Sequence, residues 1–180
     1  ERMQPELFGS LGSTLNGYSS NVGSPYRDFL WGMHEMLNKA AARGMRVLLD
    51  PHNYGARALK VGGVWQLSGG AGRNGKFQIG TTDVPEEAFA DFCAKLGVEF
   101  GGHPGLLGID IMNEPALMGR ASPSAADDVD VGRARWDSAA KLAVAEMRSA
   151  GYKGWIFVEG YAYAAAYSWT TNNPDLHTLS

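Results

Sequence analysis

The sequence predicts an α/β protein in which a parallel sheet is covered by helices. Three observations carry that expectation. Short, near-continuous apolar runs alternate with segments of helical period, in the order helix–strand–helix–strand–helix–strand. The chain has 180 residues, 44% of them hydrophobic, which is enough for a packed core and excludes extended disorder. No composition break marks a boundary, so one domain is expected.

The elements follow in order. Residues 1–25 are rich in Gly, Ser and Asn, include Asn16-Gly17, and read as an irregular loop. A helix is expected over roughly 26–43. Phe29, Leu30, Met33, Met36, Leu37 and Ala40 recur at helical spacing, and Gly44 closes it. Met45-Arg46-Val47-Leu48-Leu49-Asp50 then reads as a buried strand. Residues 51–83 form a long Gly-rich loop; eight of the 24 glycines lie between Gly55 and Gly80. A second helix, about 85–100, has Asp83 as its expected cap and Pro85 in its first turn. Its apolar face is Phe89, Phe92, Cys93, Leu96 and Phe100. A second strand runs from Leu106 to Met112, a polar loop covers 119–132, and a third helix spans about 133–149. The third strand is Trp155 to Glu159, and the tail 160–180 is aromatic, then polar. Trp31, Trp136 and Trp155 fall inside these helices and strands and are assigned to the core.

Several function classes lose support. A net charge of −3 leaves no electrostatic footprint for nucleic acid or an anionic membrane. No apolar run approaches the ~20 residues of a membrane span. The opening residues Glu1-Arg2-Met3-Gln4-Pro5 show no basic-then-apolar signal segment. Cys93 is the single cysteine, so neither an internal disulfide nor a multi-Cys metal site can form. The four histidines show no metal-ligand spacing, and His34-Glu35 lacks a second histidine because position 38 is Asn. Gly70-Ala71-Gly72-Arg73-Asn74-Gly75 fits a dinucleotide fingerprint, but no strand precedes it and no helical pattern follows. It reads as a flexible loop. Asp127-Asp128-Val129-Asp130 reads as a solvated acidic loop. No metal or other cofactor is expected.

The chemistry gathers where the strands end. The first ends at Asp50-Pro51-His52-Asn53-Tyr54, the second at Asn113-Glu114-Pro115, the third at Glu159-Gly160-Tyr161. In α/β barrels and open α/β sheets alike, ligands bind beyond the carboxyl ends of the strands.

Gly108-Ile109-Asp110-Ile111-Met112-Asn113-Glu114-Pro115 resembles the acid/base segment of glycoside hydrolases built on (β/α)8 barrels. Val47 to Tyr54 resembles the end of the third barrel strand in glycoside hydrolase family 5, Ile156 to Gly160 the fifth, and Glu1 to Pro5 the segment after the second. The matching segments keep the family's order and point to its retaining endo-β-1,4-glucanase, or cellulase, branch. The fold this implies is a partial (β/α)8 TIM barrel, covering approximately strands 3 to 5 with their helices. Such a barrel usually needs about 250 residues. Residues 1–180 are therefore expected to be one incomplete catalytic domain, an internal fragment with open sheet edges and exposed apolar helix surface.

The resemblance also implies roles. Glycoside hydrolysis normally uses two carboxyl groups flanking the scissile bond. Glu114 matches the general acid/base, Asn113 the asparagine that binds the sugar 2-hydroxyl, and His52 the histidine after the third strand. Asn53 and Tyr54 are weaker cleft candidates. Trp65, Tyr161, Tyr163 and Trp169 are either sugar platforms, because an aromatic face suits the C–H face of a pyranose, or packing residues. Glu159 is a candidate cleft residue or a support for the residues that touch sugar; the family does not use this position as nucleophile. The seventh-strand nucleophile glutamate, the sixth-strand His-x-Tyr and the eighth-strand tryptophan have no counterpart here. The implied substrate is a β-glucan polysaccharide or oligosaccharide, met outside the cell, with no nucleic-acid or membrane partner. Two alternatives stay open: a non-catalytic sugar-binding remnant, and a mannanase or xylanase of the same family.

Overall fold

A computed structural model describes residues 4, 6–11, 29–57, 59–61, 64–66, 77–122 and 125–179. Among these, three strands form a parallel sheet in the order β1-β4-β5, with β1 at Val47–Leu49, β4 at Leu106–Asp110 and β5 at Trp155–Phe157. The helices α1 (Phe29–Ala41), α2 (Glu86–Phe100) and α3 (Val129–Ser149) alternate with them. The expected helix–strand alternation is observed, with a hairpin after β1 and short helical turns in the tail added to it.

Register explains which face is which. Leu49 pairs with Ile109, and Ile109 with Ile156. Leu49 and Ile109 are buried, and Ile156 is packed against the same core, with Phe89, Leu96 and Phe100 of α2 and Trp136 and Met147 of α3. α2 and α3 pack on each other along their apolar faces. On the other face Leu48, Gly108 and Trp155 line up, then Asp110 and Phe157. Side chains alternate along a strand, so Asp50, Asp110 and Glu159 continue that second row. Trp155 is 71% exposed and Leu48 and Phe157 are also exposed, so this face is not covered by the helices.

Several local expectations are corrected. The Trp136 ring is fully buried, but Trp155 and Trp31 are exposed rather than core. A period places a side chain on a face; only the neighbours decide whether that face is covered. α2 is capped by Pro85 with no side-chain cap, so Asp83 does not serve. Glu86 and Glu87 in the first turn complement the helix dipole instead. The acidic run is solvent-exposed at Asp128 and Asp130, as expected, but it caps and opens α3 instead of forming a loop. Asp128 caps α3 by accepting from the Val131 N–H at 3.1 Å, so the helix starts four residues early. Asp130 pairs with Arg133, and Asp127 accepts from the Gly119 N–H at 2.9 Å. The Gly-rich stretch after β1 contains an antiparallel hairpin, β2 (Leu59–Val61) with β3 (Val64–Gln66). The chain then returns: Arg57 N–H donates to Phe77 O at 2.9 Å and Ile79 N–H to Gly55 O at 3.0 Å. The Gly70–Gly75 motif lies outside the described residues. Cys93 is fully buried on the apolar face of α2, as expected, and burial pushes its thiol pKa up.

Gly132, in the first turns of α3, is held by packing. A Cβ there would sit 1.9 Å from the Tyr161 hydroxyl, whereas one on Gly32 in α1 meets nothing within 4 Å. Gly→Ala in an open helix stabilises by about 1 kcal/mol. Gly32→Ala should follow that rule. Gly132→Ala should destabilise by about 1–3 kcal/mol through overpacking. Chemical unfolding of both variants in the full-length protein checks the opposite signs.

Candidate active site

The loops after β1, β4 and β5 are stitched together by backbone bonds. Asn113 N–H donates to Pro51 O at 3.1 Å, Ala116 N–H to Tyr54 O at 3.3 Å and Tyr163 N–H to Pro115 O at 3.3 Å. Pairing therefore continues past the strands and brings the three polar strand ends into one patch.

Along one side of the patch runs a chain of side chains. His52 Nδ1 lies 3.2 Å from Asp50 Oδ2, and His52 Nε2 lies 2.9 Å from the Tyr54 hydroxyl and 3.4 Å from Asn113 Nδ2. An amide nitrogen only donates, so Nε2 accepts and Nδ1–H donates to Asp50. The Tyr54 ring meets the imidazole edge-on at 5.0 Å between centroids. Asp50, His52, Tyr54 and Asn113 thus form one oriented series in which Asp50 fixes the histidine tautomer.

Carboxylates from the other two strand ends meet beside it. Glu114 N–H donates to Glu159 Oε2 at 2.6 Å. Glu114 has φ +44°, a left-handed conformation that costs a non-glycine residue about 1–3 kcal/mol unless its surroundings hold it. Glu159 is itself anchored, because Trp136 Nε1–H donates to its carbonyl at 2.8 Å. Asp110, 5% exposed, sits between Asp50 and Glu159. Burial is the main reason its carboxyl is pushed up to about 7; the Met112 N–H opposes this, and the charges of Glu159 and Asp50 and a hydrogen bond with Glu159 add to it.

The aromatic candidates separate. Tyr161 is 1% exposed; its hydroxyl donates to Asp127 Oδ2 at 2.8 Å and accepts from Met118 N–H at 2.9 Å. Burial and Asp127 push that hydroxyl's pKa up. No ring face is left for a sugar, so Tyr161 is a strut between the post-β4 loop and the start of α3 rather than a platform. Tyr163 is 43% exposed and keeps an open ring. Trp65 lies in β3, and its side chain falls outside the described residues. Asn53 and Tyr54 are half-buried beside His52. Beneath this loop, between α1, α2 and the end of β1, lies a cavity of about 510 Å³ whose rim includes Asp50, His52 and Asn53. Among the described residues no group of His, Cys, Asp or Glu could hold a metal ion.

A model of the cellulase family, glycosyl hydrolase family 5, matches residues 12–179. The chain belongs to this family. Among solved structures, the endoglucanase Cel5A of Pseudomonas stutzeri is 32% identical over 97% of this chain, with a TM-score of 0.65. XacCel5A in complex with cellopentaose is 29% identical over 95%, with a TM-score of 0.61. A triple variant of the endo-beta-1,4-glucanase Xac0030 from Xanthomonas axonopodis pv. citri is 28% identical over 100%, with a TM-score of 0.64. The chain spans 40%, 40% and 45% of the length of these three. The family 5 chain is thus α/β, and its parallel strands with their helices are part of a (β/α)8 barrel.

In this family 5 chain the strand-end rule of barrels accounts for the patch. The fold brings Asn113, Glu114, His52, Tyr54 and Glu159 together and sets Tyr161 apart. Asp110 escaped the sequence reading. Its signal was present: it is the one charged residue inside Leu106–Met112, two positions before Met112 and on the row of Asp50 and Glu159.

Proposed function

We propose that the protein carrying this chain is a retaining endo-β-1,4-glucanase acting on cellulose and related β-glucans outside the cell. The observation that carries the reading is the pair Asn113 and Glu114 at the end of β4, with the Asn113 amide against an oriented His52. The names of the relatives support it: one is an endoglucanase also solved with cellobiose, another is an endo-beta-1,4-glucanase, and XacCel5A was solved with cellopentaose.

The reaction divides as follows. Glu114 protonates the leaving glycosidic oxygen and, in the second half, takes a proton from the attacking water. Asn113 donates to the sugar 2-hydroxyl, a bond that strengthens as positive charge develops at the ring. His52, its Nδ1–H held by Asp50, steadies that amide and presents the Tyr54 hydroxyl to the cleft. Tyr163 offers a stacking face, while Asn53 borders the cleft. The nucleophile is a glutamate of the whole protein outside these 180 residues, which form one incomplete catalytic domain.

Retention and substrate are tested together in the full-length protein. Proton NMR of the first product from a cello-oligosaccharide should show the β-anomer, with reducing ends released faster from β-glucan than from mannan or xylan. An α-anomer formed first overturns retention, and a mannan or xylan preference reassigns the substrate.

A further inference from the structure

We propose that Glu159 is a positioning residue for the acid/base glutamate, its carboxylate gripping the Glu114 backbone N–H and holding the left-handed turn from which the Glu114 side chain works. This rests on the reading of Glu114 as acid/base and adds a role that the reaction scheme leaves empty.

Four observations converge. The contact from Glu114 N to Glu159 Oε2 is 2.6 Å, shorter than an ordinary amide hydrogen bond. The residue gripped is the one with the unusual backbone, φ +44°. Its conformation decides where the first side-chain bond points, so whatever holds φ also aims the carboxyl group. The grip is fixed from behind, since the fully buried Trp136 holds the Glu159 carbonyl at 2.8 Å and Tyr161, two residues on, donates its N–H to Asn173 Oδ1 at 2.7 Å. Finally, Asp110 faces Glu159 from the neighbouring strand and hydrogen-bonds to it, with Asp50 on its other side. Two carboxyl groups share a hydrogen bond only with one proton between them. Burial raises the Asp110 carboxyl and so favours its protonated form, which can donate to Glu159 while Glu159 Oε2 accepts from Glu114 N–H. The order is thus Asp110 O–H to Glu159, and Glu114 N–H to Glu159.

A misaimed acid hurts most where the leaving group needs a proton. The experiment compares Glu159→Leu and Glu159→Gln in the full-length enzyme on two aryl β-cellobiosides. One carries a dinitrophenolate, which departs unaided, and the other a poor phenol leaving group. With leucine, kcat/KM on the poor leaving group should fall at least about tenfold, part of the 10²–10⁴ supplied by a general acid. On the dinitrophenyl substrate it should stay within about threefold, because no protonation is required. Glutamine keeps an acceptor oxygen and should lie between leucine and wild type. Equal losses on both substrates, or none, overturn the proposal. If the leucine variant does not fold, the glutamine variant decides by the same selectivity. Glu114→Gln measured alongside separates the two readings. If it leaves the poor substrate unaffected, the acid/base assignment fails. If it collapses turnover while both Glu159 variants show no selectivity, only the positioning role fails.

Discussion

Glu114→Gln in the full-length protein should lower kcat on β-1,4-glucan by about 10²–10⁴-fold with little change in KM. Glutamine is nearly isosteric, and the Glu114 N–H that bonds Glu159 belongs to the backbone, so the local turn survives the change. What is lost is the transferable proton, and with it a contribution made only in the transition state. The substitution should also change which step is slow. A substrate with a good leaving group still forms the covalent intermediate, but water then lacks its general base. Azide needs no base and should restore turnover by trapping the intermediate as a glycosyl azide. Steady-state kinetics with and without azide check both statements. Turnover within about threefold of wild type would remove Glu114 from the mechanism.

Asp110→Asn should change the pH dependence of stability more than any other single substitution in the patch. The Asp110 carboxyl, ordinarily near 3.8, is raised to about 7 in the folded chain, chiefly by burial. Between those two values the folded state binds a proton that the unfolded state releases. The stability from this group is therefore fully present below about pH 4 and is lost as pH rises through 7. Asparagine cannot ionise and keeps an N–H for Glu159. The unfolding free energy of the variant minus that of wild type should grow by up to about 4 kcal/mol between pH 4 and pH 8. Interaction with the neighbouring carboxylates spreads the change over a wider range and makes it smaller. Urea unfolding of both proteins at a series of pH values measures it, and any constant offset from altered packing cancels in the comparison. A difference that stays flat from pH 4 to pH 8 would show that Asp110 does not hold the proton.

Much of the patch was legible before any coordinates. Asn113-Glu114-Pro115 after an apolar run, and His52 after another, mark the ends of parallel strands, and parallel strands present those ends on one side. What could not be read was which polar groups touch. Asp110 and Glu159 are far apart in the chain, and their meeting depends on the β4–β5 register, which the packing of Ile109 and Ile156 sets. Tyr161 follows the third strand as a platform residue would, yet it is buried because the start of α3 crosses over it at Gly132. Asp128 sits in an acidic run that reads as solvent-facing, and only the position of Val131 N–H makes it a cap.

Alternating apolar runs and helical periods determined the α/β layering, and the polar strand ends determined where chemistry gathers. Both are local properties, fixed by how side chains alternate on a strand or repeat on a helix. The tertiary structure decided the rest: the Glu159 bond to a left-handed Glu114, the burial that raises the Asp110 carboxyl, the tautomer of His52 and the burial of Tyr161. Each depends on the distance, burial or charge of residues remote in sequence. Those quantities exist only once strands and helices have packed, and period and composition carry no record of them.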